Sequence, residues 1–266
     1  MVRPCSPQVR LIVLSAALLA VFALGASAAQ AGLSGAEIMT RVEQREIGKD
    51  ERSQVALTLI TKEGQQRERK LLLERRGKAD QKKVLIHFLS PADVRGVGFL
   101  VWRHPGKDDD RWLFLPALNM VRRIAAADKR SSFVGSDFVY EDVAGRDVGQ
   151  DTHTLVRSES LGGQDCYVVK SVPKNPGSVE FSYKLSWVRK DNFVVIQELY
   201  YDKRGEQLKQ LTVDKLEAIQ GIPTVRKQTM RDLQTGHRSE VSYDDVRYNL
   251  GLGDDVFTER YLRRAP

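Results

Sequence analysis

The sequence has little cysteine: only Cys5 and Cys166 occur in 266 residues. Cys5 falls in a segment expected to be removed, so one thiol remains and no internal disulfide can brace the fold. The apolar run Leu11–Leu24 has fourteen residues, short of the ~20 that a spanning helix needs. Neither G-x-x-x-x-G-K-[ST] nor G-x-G-x-x-G occurs, which excludes the common nucleotide-driven machines. The four histidines, His87, His104, His153 and His237, show no ligand spacing, so neither a transition metal nor any other cofactor is expected. His87 sits in an apolar strand and reads as a satisfied core or edge residue. The G-x-S-x-G elbow is missing too, leaving Ser136 in Gly135-Ser136-Asp137 as the one posed serine. The acidic clusters, such as Asp108-Asp109-Asp110 and Asp254-Asp255, read as turns and a helix cap. These absences point away from an enzyme.

What is present begins at the N-terminus. Arg3 and Arg10 are the only charges in the first 31 residues, ahead of the apolar run and the small-residue end Ala29-Gln30-Ala31. That pattern predicts a secretory signal peptide over residues 1–31, cleaved before Gly32 to give a soluble periplasmic protein. Cleavage takes 31 residues from 266 to leave 235, and lowers the net charge from +7 to +5 by removing two arginines. Export removes nucleic acid as a natural partner. The basic pairs (Arg75-Arg76, Lys82-Lys83, Arg122-Arg123, Arg263-Arg264) read as solvated surface, or else as attraction to anionic lipid.

The spacing predicts a helix after Ser34, where Ser34 and Glu37 form a capping box and Leu33 and Ile38 a staple. Its apolar stripe is Ile38, Met39 and Val42. About a dozen strands follow, many alternating with period two, joined mostly by short turns. They imply one large antiparallel sheet, curled or closed, in a single domain over 32–266. The polar run Gln207–Ile219 suits a sheet with a wet outer face. Residues 125–145 break the β rhythm yet carry Phe133, Phe138 and Tyr140, as a plug or a flap would. A wide barrel can enclose a cavity, and Trp102, Trp112 and Phe114, on neighbouring strands, are candidates to line it. Asp254 to Leu262 closes the chain as a short capped helix.

Three segments carry a family resemblance: Phe88–Leu100 (FLSPADVRGVGFL), Trp112-Leu113-Phe114-Leu115-Pro116-Ala117 through Val121-Arg122-Arg123-Ile124, and Ser131–Asp142 (SSFVGSDFVYED). With the closing Phe257-Thr258 and Tyr261-Leu262, they resemble the outer-membrane lipoprotein-sorting protein group, distant relatives of the periplasmic carrier LolA. The resemblance implies an unclosed antiparallel β-barrel with covering helices over an apolar cavity for acyl chains. It also implies a monomeric carrier of lipid or lipoprotein (a chaperone in lipoprotein transport) working with an RND-type exporter. The ligand-binding residues on that view are Trp102, Trp112, Phe114, Phe133, Phe138 and Tyr140. Arg41 and Arg45 are candidates for the arginine that latches the lid in LolA. The alternative is an RseB-like periplasmic sensor, although those carry a further C-terminal domain. A lipid hydrolase using Ser136 is the third reading.

Overall fold

In the computed structural model, Met1, Val2 and residues 32–104 and 106–264 are described. The expected signal peptide lies almost wholly outside them. Leu33–Pro266 is one compact unit. Among the described residues no helix is long and apolar enough to cross a membrane.

Helix α1 (Gly35–Gln44) starts at Ser34, whose backbone N–H donates to Glu37 Oε2 at 2.8 Å while the Glu37 N–H donates to Ser34 Oγ at 3.2 Å. Thirteen strands follow: β1 (Asp50–Ile60), β2 (Gln66–Arg76), β3 (Lys83–Ser90), β4 (Gly98–Trp102), β5 (Asp110–Leu115), β6 (Met120–Arg123), β7 (Asp151–Leu161), β8 (Gln164–Pro173), β9 (Tyr183–Arg189), β10 (Val195–Tyr201), β11 (Gln207–Ile219), β12 (Ile222–Asp232) and β13 (Arg238–Tyr248). All belong to one antiparallel sheet in the order β6-β5-β4-β3-β2-β1-β13-β12-β11-β10-β9-β8-β7. The chain starts in the middle, meanders out to one edge, crosses to the other and meanders back.

The sheet is not closed, since β6 and β7 each have one neighbour. It is nevertheless strongly curled. Strands lie ~4.8 Å apart, so β4 and β11, six steps apart in the order, would be roughly 29 Å apart in a flat sheet. Yet Tyr140 lies on Phe99 of β4, ring centroids 5.1 Å apart, while Asp142, two residues on, accepts from Lys209 of β11 at 3.0 Å. Only a bent sheet brings both within reach of one short helix, α2 (Tyr140–Ala144).

Both faces are covered in part. On the inner face Ile38 and Met39 of α1 pack against Val169 and Val188, and residues 124–145 fill the middle. On the outer face the segment ending in α3 (Glu259–Leu262) lays Val256, Phe257 and Leu262 over Leu85, Leu100 and Phe114. Gly98 permits this contact, because a Cβ there would stand 2.6 Å from Leu262 Cδ1.

Candidate functional site

The pleat arranges the inner face in rows. Phe88, Leu71, Val55 and Tyr243 pair in turn across β3, β2, β1 and β13, and the next row holds Arg69, Leu57, Val241 and Gln228. Every second residue of each strand points the same way, so these rows form an apolar floor with Arg69 and Gln228 at its margins. Over the floor lies a cavity of about 150 Å³, walled by Val55, Leu57, Leu71, Leu73, Phe133 and Phe138 among others.

The insert that roofs the cavity turns sharply at Val134 and Gly135, both with positive φ (50° and 78°). A β-branched residue is strained there. The turn is tied down on both sides. Arg69 of β2 donates to the Val134 carbonyl. The Asp137 amide donates to Ser239 Oγ at 3.0 Å, and that hydroxyl donates to Asp137 Oδ2 at 2.6 Å. Burial raises the Asp137 carboxyl above its usual range against the Ser239 hydrogen bond. Further along, Lys209 holds Asp142 at 3.0 Å and Glu180 at 2.7 Å.

Beside the apolar floor the inner face turns polar. A second hollow of about 230 Å³ shares Phe138, Asp142 and Gln228 with the first. It is bounded by Glu198, which accepts from Lys184 at 2.8 Å, Ser186 at 2.9 Å and Tyr200 at 2.5 Å. Burial alone would raise the Glu198 carboxyl, but Lys184 and these hydrogen bonds outweigh it and hold it below the usual range. An amphiphile could therefore meet an apolar surface and a hydrogen-bonding one side by side.

The structure divides the six residues singled out in the sequence. Phe133, Phe138 and Tyr140 belong to the inner core, where the Phe133 ring sits 5.4 Å from Phe99 and 5.6 Å from Tyr140. Trp102, Trp112 and Phe114 share a face as period two requires, but it is the outer one, under the C-terminal segment. Trp102 Nε1 donates to the Phe257 carbonyl at 2.8 Å, and its ring meets Trp112 edge-on at 5.2 Å. The intervening residues Phe99, Val101 and Leu113 are the ones that face the insert. These three aromatics therefore line no inner chamber.

One further expectation is corrected. Arg41 lies over the Phe193 ring at 5.3 Å, and burial lowers Arg45 against the pull of Tyr248 and Glu51. No described contact ties either to the insert; Arg69 of β2 reaches its turn instead. Strand β11 is polar along most of its length, and its inward-facing Lys209 is only 5% exposed and meets the insert. Ser136 donates to the Phe133 carbonyl at 2.8 Å and so belongs to the turn.

Among known proteins, a family model described as an uncharacterized protein-like family matches residues 80–264. No curated protein matches the chain. A DUF1329 family protein from Desulfovibrio piger is 31% identical, with a TM-score of 0.80 over 86% of this chain and 97% of that one. A protein described as an outer membrane lipoprotein-sorting protein domain, from Vibrio parahaemolyticus, is 28% identical, with a TM-score of 0.81 over 86% and 98%. A LolA superfamily protein from Nitrosomonas europaea, 22% identical, shares the fold with a TM-score of 0.67 over 86% and 99%. The chain belongs to the DUF1329 family and carries the LolA-like fold of the lipoprotein-sorting group that its motifs resemble.

Proposed function

We propose that the protein is a periplasmic carrier that shelters the acyl chain of a lipid or lipoprotein beneath the 131–145 insert and passes it between membrane partners, an RND-type exporter among them. It does no chemistry of its own. The observation that carries this reading is the apolar floor plugged by the chain's own Phe133 and Phe138. The name of the Vibrio relative supports the cargo class.

The physics suits exchange. Each buried CH₂ is worth roughly 0.8 kcal/mol, so a sixteen-carbon chain gains about 13 kcal/mol on leaving water. A cavity of about 150 Å³ holds something of benzene's size, so a full acyl chain needs the aromatic plug to withdraw. The ties that hold the plug are polar: Arg69 to Val134, Asp137 to Ser239, Asp142 to Lys209. Water can replace each of them, while the ligand replaces the aromatic rings on the floor. Loading and unloading then trade one apolar occupant for another, which suits a carrier with no nucleotide to drive release.

The test is native mass spectrometry of protein purified from its own periplasm, followed by lipid extraction. An acyl lipid or lipopeptide bound one to one is expected. A well-folded protein that carries none, and takes up neither fatty acid, phospholipid nor lipopeptide, would sink the reading.

A further inference from the structure

The turn joining β5 to β6 carries two large apolar side chains into solvent: Leu118 is 66% exposed and Met120 is 43% exposed. It stands at an open edge of the sheet, where Leu115 pairs with Met120. The turn is stiff. Pro116 fixes its own φ, Asn119 is left-handed at φ 47°, and the Asn119 amide donates to the Pro116 carbonyl at 3.0 Å. A lone exposed leucine needs no explanation. One held out beside a methionine on a rigid turn is a small apolar patch without a cover.

The turn is flanked by cations that no acid has claimed. Arg263 donates to the Asn119 carbonyl at 3.3 Å, and its guanidinium lies 5.7 Å from the centre of the Phe114 ring. Arg264 follows it and is exposed. The loop between β3 and β4 touches the same turn, since a Cβ on Gly96 would stand 3.5 Å from Pro116 Cγ. Arg95, beside that glycine, is exposed and donates only to the Leu89 carbonyl, at 3.2 Å. Elsewhere the basic pairs are largely neutralised: Arg75 by Glu51, Arg76 and Lys83 by Asp254, Arg122 by Asp128 and Arg123 by Asp110. Among the described residues no carboxylate comes within ion-pair distance of Arg95, Arg263 or Arg264.

An apolar tip ringed by unpaired arginines complements a bilayer with anionic headgroups. The apolar side chains gain by entering the boundary between headgroups and acyl chains, and the arginines gain in the negative surface potential.

We infer that this turn docks the protein on an anionic membrane surface, with Leu118 and Met120 entering the headgroup layer and Arg95, Arg263 and Arg264 facing lipid phosphates. The antiparallel register sets the turn at the same end of the sheet as Arg69 and Ser239, which tie down the insert. Docking would therefore bring that end of the insert towards the bilayer. The inference does not rest on acyl carriage, because binding to a surface needs no lipid to leave it.

The test floats the whole protein with vesicles of phosphatidylcholine containing roughly one-third phosphatidylglycerol, and with phosphatidylcholine alone. Binding to the anionic vesicles is expected to be about tenfold tighter or more, and to fall as salt rises past ~0.15 M, where screening shortens to about 8 Å. Leu118→Ser combined with Met120→Ser should weaken it by about tenfold or more. Arg263→Gln should weaken it roughly fivefold, the share of one arginine at such a surface. Leu250→Ser removes a leucine that is 44% exposed at the opposite end of the sheet, and should bind as the wild type does. All these side chains are exposed, so Tm should move by less than about 2 °C. Failure to bind anionic vesicles, undiminished binding by the Leu118 and Met120 double variant, or an equal loss in Leu250→Ser overturns the docking surface. A wild type that floats but carries no lipid in native mass spectrometry would keep the docking surface and sink only the carrier.

Discussion

Truncating Phe138 to alanine is expected to weaken the empty protein and strengthen its grip on an acyl probe. Phe138 is 9% exposed and forms part of the wall of both inner hollows, of about 150 and 230 Å³. A well-packed Phe→Ala change costs ~3–5 kcal/mol. This ring already borders empty space, so the loss should fall near the lower end, about 3 kcal/mol, in a urea melt. A ligand that takes the ring's place must expel it, forfeiting the ~1.5–3 kcal/mol that burying a Phe side chain contributes. The alanine variant escapes that competition. At ~1.4 kcal/mol per tenfold, it should bind the probe roughly 10- to 100-fold more tightly. A dansyl-labelled fatty acid is the right reporter, because the inner core holds no tryptophan. Unchanged or weaker binding by a folded Phe138→Ala protein would show that the ring does not occupy the ligand's place.

Trp112→Leu, on the outer face under the C-terminal segment, should cost about 2 kcal/mol and leave probe affinity within about twofold; a large loss of binding would return Trp112 to the chamber. Glu198→Gln tests the buried network by pH. A carboxyl held low in the fold contributes stability that is present above its unfolded value and lost as pH falls through its folded one. The wild type should therefore lose stability below about pH 4.5, and Glu198→Gln, weaker at pH 7 by ~1–3 kcal/mol, should lose less on acidification. Parallel acid limbs for the two proteins would refute the assignment.

A single sheet of about a dozen strands was legible in the sequence, and the polar run Gln207–Ile219 matches β11. The capping box at Ser34 and Glu37 formed as its spacing predicts. Which face pointed inward was not legible where it mattered. Strand β4 reads Gly-Phe-Leu-Val-Trp, apolar at nearly every position because the insert covers one face and α3 the other. Trp102, Trp112 and Phe114 do share a face, but two apolar faces look alike until something is known to cover each. Arg69 was invisible for the opposite reason. It sits in Arg67-Glu68-Arg69-Lys70, where charge at every position hides the one side chain that turns to the insert. Lys184, Glu198 and Lys209 resemble ordinary solvent-facing strand residues, and only three-dimensional pairing reveals their burial.

The strand order has a consequence for how the chamber comes into being. Its floor straddles the pairing of β1 with β13, where Val55 faces Tyr243 and Leu57 faces Val241. Each half of the sheet can zip up as local hairpins, at little loop-closure expense, but this central seam joins the first strand to the last. Neither half owns a chamber by itself, because Leu71 and Leu73 stand on one side of the seam and Val241 and Tyr243 on the other. The insert that plugs the floor is made between the two halves, before β7 to β13 exist. By the time the seam brings the two walls together, the segment that fills the space is already part of the chain, and no unplugged apolar basin need face other chains on the way.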